Sequence, residues 1–215
     1  GFSTLFGIPD GLGLQIALII VAVVLTIAAC TSGVDKGIRI ISELNIWSAA
    51  AMLVYILIFG QTAFLMNGIV QNIGRFIFTL PERTLQTMGY NPDGAEWMGS
   101  WTLFFWAWWI AWMPFVSLFL ARISRGRTLR QFVFGVLLIP FAFILLWVSI
   151  FGNATLMNAG DQDFLDLTMT LPDSGFSNLL EQHPGAFFTI PLALLTGLFF
   201  YVTSADSGSL VLANM

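Results

Sequence analysis

The sequence predicts an all-α membrane protein, a bundle of transmembrane helices. Three observations predict it: 57% of the residues are hydrophobic, only 9% are charged, and the apolar residues gather into runs about as long as a bilayer is thick. Soluble domains carry roughly a quarter charged residues, so this chain cannot cover a water-facing surface in the usual way. Its mean hydropathy is +0.85. A hydrocarbon core of about 30 Å takes roughly 20 residues at a helical rise of about 1.5 Å each. Lipid offers backbone N–H and C=O groups no partners, and the runs lack the alternation of a barrel strand, so helix is the form they must take.

Five stretches are expected to span: 12–31, 46–66, 101–121, 132–151 and 187–207, with the whole chain 1–215 forming one transmembrane unit. Gly60, Pro114, Pro140, Pro191 and Gly197 fall inside these runs, where membranes tolerate them as kinks or breaks. Between the second and third stretches, Ile69, Ile73, Phe76 and Leu80 recur at helical spacing and predict a helix lying along the outer interface. The chain opens on Gly1, its first apolar run has no basic flank, and it stops at Met215 soon after a hydroxyl-rich motif; an internal fragment is expected.

Charge sets the orientation. Lys36 and Arg39 follow the first stretch, and Arg122, Arg125, Arg127 and Arg130 follow the third with no acid among them. Asp161, Asp163, Asp166, Asp173 and Glu181 lie between the fourth and fifth. The positive-inside rule puts the first and third connections in the cytoplasm and the acidic fourth outside, with Arg75 and Arg83 in the second as the only dissent. The arginine-rich turn reads as a topology determinant that meets lipid headgroups. Cys30 is the only cysteine and His183 the only histidine, which excludes an internal disulfide framework and a zinc centre. An enzyme acting on lipid or quinone would want a cluster of His, Cys or acids at membrane depth, and only Asp206 approaches that position. No catalytic residue, organic cofactor or nucleic-acid partner is expected.

The third stretch holds Trp101, Trp106, Trp108, Trp109 and Trp112. Interfacial belts keep tryptophans at span ends, which suits Trp101. Trp108, Trp109 and Trp112 fall near mid-membrane instead. On an ideal helix Trp101, Trp108, Trp112 and Phe115 share a face, with Trp109 about 100° round. Indole faces attract a cation whose charge no single hydrogen bond can neutralise, such as a trimethylammonium group, at about 2 kcal/mol or more per desolvated ring. Packing against lipid or a neighbouring helix is the competing reading. Pro114, just after the cluster, lacks an N–H and is expected to loosen the ladder there. In the last stretch Thr203 and Ser204 supply adjacent hydroxyls, with Asp206 close behind. Helical hydroxyls commonly bond back to the preceding turn, whereas a hard cation would also use them. Spacing alone does not choose between the two.

The helix Trp101-Thr-Leu-Phe-Phe-Trp-Ala-Trp-Trp-Ile-Ala-Trp112, followed by Phe119-Leu-Ala-Arg-Ile-Ser-Arg-Gly-Arg127, resembles the signature of the betaine/carnitine/choline transporter family. Ser32-Gly-Val-Asp-Lys-Gly-Ile-Arg39 and Val202-Thr-Ser-Ala-Asp-Ser207 are similar to further stretches of that family. Ser42-Glu-Leu-Asn45 and Tyr201-Val-Thr-Ser-Ala-Asp-Ser-Gly208 are closest to its high-affinity choline transporters. The resemblance implies a multi-pass protein of the cytoplasmic membrane with two inverted five-helix repeats behind two extra helices, of which this chain would hold the sixth to tenth. It implies ion-coupled alternating access for choline, with glycine betaine/sodium symport or carnitine-type exchange as alternatives, and a homo-trimer in lipid. It further implies that Trp108 and Trp109 contact the quaternary ammonium group and that Trp112 lies on the path to the cytoplasm. Phe200, Thr203 and Ser204 match one sodium site of the sodium-coupled members, and Phe115 lies near a second; the coupling ion would be sodium or a proton. Met113 departs from the family, where serine often precedes the proline, and the family's other cage aromatics fall before Gly1. A membrane sensor that has lost transport is the remaining class.

Overall fold

The computed structural model describes residues 11–32, 39–171 and 174–212. Lys36 and Asp173, and the side chains of Cys30 and Asp206, lie outside the described residues. Helix α1 runs Leu12–Ser32, α2 Arg39–Phe59 and α3 Thr62–Leu85. Helix α4 spans Gly94–Ile123 and α5 spans Leu129–Gly160. The short α6 (Gln162–Thr170) and α7 (Gly175–Glu181) precede the long α8 (Ala186–Leu212). There is no strand among the described residues. Helices α2, α4, α5 and the Ala186–Ala205 part of α8 are each long and apolar enough to cross a membrane, and α1 holds the shorter apolar stretch Leu12–Ala28. The chain is an all-α, multi-pass membrane protein.

The second apolar run is divided differently from the expected 46–66. Helix α2 begins earlier, at Arg39, where Arg39 Nε donates to Glu43 Oε1 over 2.8 Å. It ends at Phe59, and Gly60 and Gln61 separate it from α3. A Cβ on Gly60 would stand 2.6 Å from the Ile56 carbonyl oxygen, so only glycine fits that turn. The carbonyls freed by the break find new donors: Thr62 Oγ1 donates to Leu57 O at 2.6 Å and Thr62 N to Gly60 O at 3.0 Å. The break falls at Gly60, one of the positions expected to kink or break a run, within the short interruption Gly60-Gln61-Thr62.

Two helices change pitch inside the membrane-length segments. Residues Met98–Leu103 of α4 and Phe134–Leu138 of α5 form π turns. Pro114 does not loosen α4 as expected, since the α-helix continues through it from Phe104 to Ile123. A proline deletes one donor, and here the flanking ladder holds; Ser117 Oγ donates to Pro114 O at 3.1 Å. After the turn at Gly126, Thr128 starts α5 with a capping box, accepting from Gln131 N at 3.3 Å while Gln131 Oε1 accepts from Thr128 N at 3.0 Å. Asp161 caps α6 by accepting from Asp163 N and Phe164 N.

The core lies where α2, α3, α5, α7 and α8 meet. Met52 and Ile56 of α2, Leu65 of α3, Ile150 and Phe151 of α5, Leu179 and Leu180 of α7 and Ile190 of α8 are all buried there. Gly68 of α3 lets Asn153 of α5 close in, since a Cβ at Gly68 would meet the Asn153 amide nitrogen at 2.2 Å. A hydroxyl pair ties α2 to α8: Thr196 Oγ1 donates to Ser48 Oγ over 2.9 Å. At the far end of the same pair, the Tyr55 hydroxyl donates to the Pro184 carbonyl just before α8. Helix α4 buries no residue in this core. It leans on α8 instead, and the space between them is the candidate site.

Candidate functional site

A cavity of about 580 Å³ opens between α2, α4 and α8. Its α4 wall is Trp108, Trp109, Trp112, Phe115, Val116 and Phe119; α8 supplies Thr203, Ser204 and Gly208, and α2 supplies Ser42. The volume falls within the range of small-molecule sites, roughly 300–1,000 Å³. No lining residue among those described carries a formal charge.

The aromatic wall is built by helix geometry. Positions 108, 112 and 115 stack at spacings of four and three on one face. Trp112 and Phe115 meet edge-on with ring centroids 5.9 Å apart. Trp108 and Trp109 lie 6.1 Å apart at an interplanar angle of 48°, and Phe105 braces Trp108 edge-on at 5.8 Å. Trp109 is 59% exposed, its indole open to the cavity rather than packed in the core. Trp101 is not among the cavity's lining residues. It stands seven residues before Trp108, about 10 Å along the helix axis, within the π turn of Met98–Leu103.

On α8 the Thr203 hydroxyl donates back to Phe199 O at 2.9 Å and Phe200 O at 3.1 Å. That back-bond is one of the two readings left open by spacing. The Phe200 side chain is 48% exposed and is not part of the cavity wall. Of the seven residues singled out from sequence, Trp108, Trp109, Trp112, Phe115, Thr203 and Ser204 therefore come together at one cavity, and Phe200 does not line it. Sequence reasoning missed Ser42 as a lining residue. The available signal was its position on the α2 stripe that continues through the buried Asn45, Ala49 and Met52 at helical spacing.

The family model described as BCCT, betaine/carnitine/choline family transporter, matches residues 1–215. The chain belongs to that family. It is 51% identical over 216 residues to a high-affinity choline transport protein of Escherichia coli K12, covering 100% of this chain and 32% of that protein. It is also 51% identical over 217 residues to an osmo-dependent choline transporter, BetT2, of Acinetobacter baylyi, with the same coverage. A glycine betaine transporter, OpuD, of Bacillus subtilis is 37% identical over 212 residues, 99% of this chain and 41% of that one. The chain thus spans about a third of the length of the curated choline transporters it matches. These relatives of the betaine/carnitine/choline family are transporters and not enzymes, and the described lining here is made of aromatic faces and hydroxyls.

Proposed function

We propose that this chain is part of a secondary active transporter that imports choline, or a closely related quaternary ammonium osmolyte, across the cytoplasmic membrane of a bacterial-type cell. The observation that carries the reading is the meeting of Trp108, Trp109, Trp112 and Phe115 with Thr203 and Ser204 around one cavity whose described lining carries no formal charge. A trimethylammonium cation has no N–H to donate, so a carboxylate cannot bind it by hydrogen bonding; indole faces bind its diffuse charge, at about 2 kcal/mol per desolvated ring. The 51% identity to two choline transporters favours choline over betaine. The 37% identity to a glycine betaine transporter supports the second substrate.

The transporting unit is a longer chain, of which this third supplies one side of the path. In that unit the helices form parts of two inverted repeats that rock about the site to give alternating access. Symport with sodium or a proton supplies the driving force. For sodium, Thr203 and Ser204 offer hydroxyl oxygens and Phe200 a carbonyl that now accepts from Thr203, oxygen ligands of the kind a hard cation takes. Phe115 offers a ring, and its part in a second sodium site would be a cation–π contact. The arginines between α4 and α5 place that turn on the cytoplasmic side. Assembly is as a homo-trimer embedded in lipid. Uptake of labelled choline by the full-length transporter in proteoliposomes, driven by an imposed gradient, tests the proposal; uptake that ignores both gradients would contradict the coupling mechanism.

A further inference from the structure

We infer that the Ser42 hydroxyl is a specificity-determining contact that binds the alcohol end of the transported compound, opposite the tryptophans that hold its ammonium end. The inference rests on the transport function proposed above and adds a residue on a third helix to the site.

Several helical hydroxyls in this protein bond back to their own helix. Thr26 donates to Ala22 O at 2.8 Å, Ser48 to Asn45 O at 2.9 Å, Thr155 to Phe151 O at 2.9 Å and Ser209 to Ala205 O at 2.8 Å. Back-bonding is how a hydroxyl is made compatible with an apolar setting. Ser42 is half-buried, lines the cavity, and makes no hydrogen bond among the described residues. Its donor and its acceptor lone pairs are both available to whatever enters.

Its position is held firmly. The Thr196–Ser48 bond and the buried Ala49, Met52 and Val202 fix α2 against α8. Ser42 lies on the α2 stripe one turn before the buried Asn45 and faces the aromatic wall of α4 across the cavity. A hydrogen-bonding group on a rigid helix discriminates better than one on a loop. The chemistry of the wall selects the class of ligand. Lys and Arg are absent from the described lining, so a carboxylate tail finds no cation there, whereas a neutral alcohol both donates to and accepts from a serine. Ser204, also without a hydrogen bond among the described residues, sits beside Thr203 on α8 where the ion would bind. Ser42 is the hydroxyl left for the substrate.

The test is a cycle of protein and substrate hydroxyls in the full-length transporter, reconstituted in proteoliposomes. Choline is compared with propyltrimethylammonium, in which a methyl replaces the hydroxyl, for wild type and Ser42→Ala. The expected result is that Ser42→Ala lowers kcat/KM for choline about tenfold, as for loss of one buried hydrogen bond, and leaves propyltrimethylammonium within about twofold. Ser42→Cys, near-isosteric with a weak donor, gives the same pattern and serves if the alanine variant fails to reconstitute. An equal loss for both substrates, no loss for either, or a change confined to the half-saturating ion concentration would overturn the inference while leaving choline transport standing. Wild-type protein that takes up neither compound would instead sink the transport reading and this inference with it.

Discussion

Replacing Trp109 by leucine removes an indole face from the cavity while keeping a large apolar side chain on α4. The side chain is 59% exposed and buries nothing in the α2–α3–α5–α7–α8 core, so the substitution costs the fold little. What it costs is the cation–π contact, about 2 kcal/mol for a desolvated ring over a quaternary ammonium. At about 1.4 kcal/mol per tenfold, that is a rise of about 30-fold in the KM for choline. Trp101→Leu is the matched control: a similar indole on the same helix, 60% exposed but outside the cavity lining. Its KM should stay within about twofold of wild type, as for a surface change away from any built feature. The assay is initial-rate uptake of labelled choline by the full-length transporter over a range of concentrations, with protein quantified in the liposomes. Equal small effects at the two positions would refute the cation–π reading and return Trp109 to lipid packing. A larger effect at Trp101 would refute the cavity geometry as well.

The remaining predictions test the ion site and the frame. The double change Thr203→Ala, Ser204→Ala should raise the half-saturating sodium concentration about tenfold in a sodium-coupled transporter, with a smaller effect on choline KM at saturating sodium. Unchanged sodium dependence would leave Thr203 as a helix back-bonder only. Gly60→Ala should destabilise the detergent-solubilised protein by about 1–3 kcal/mol, because its Cβ would sit 2.6 Å from a backbone oxygen; thermal unfolding in detergent reads this, and an unshifted Tm would show that the α2–α3 break relaxes freely. Tyr55→Phe removes the hydroxyl that donates to Pro184 and should cost about 1 kcal/mol in the same measurement while leaving choline KM unchanged.

Much of the fold was legible because lipid makes a simple demand, helices about 20 residues long with apolar surfaces, and the chain meets it openly in the runs around Ile19, Trp108, Ile144 and Leu194. The boundaries were less legible. Gly60 was expected as a kink or break, but the division into two helices there depends on the Ile56 carbonyl and the Thr62 hydroxyl, local contacts that composition does not give. The π turns at Met98–Leu103 and Phe134–Leu138 leave no compositional mark either. Two walls of the cavity could be found in advance: the tryptophans because so many at mid-membrane are unusual, the Thr203–Ser204 pair because adjacent hydroxyls in a span have a chemistry to explain. Ser42 could not be joined to them. It lies more than 150 residues from Thr203 in sequence, and only the packing of α2 on α8 through Ser48 and Thr196 brings the two together.

The most direct test is uptake of labelled choline and glycine betaine by the full-length transporter in proteoliposomes, with sodium and proton gradients imposed separately. The aromatic cavity and its hydroxyl wall predict saturable choline uptake driven by one of the two gradients, with choline preferred to betaine. Uptake of neither compound under either gradient would contradict quaternary ammonium transport, and would leave the Trp108–Trp109–Trp112 wall as packing surface.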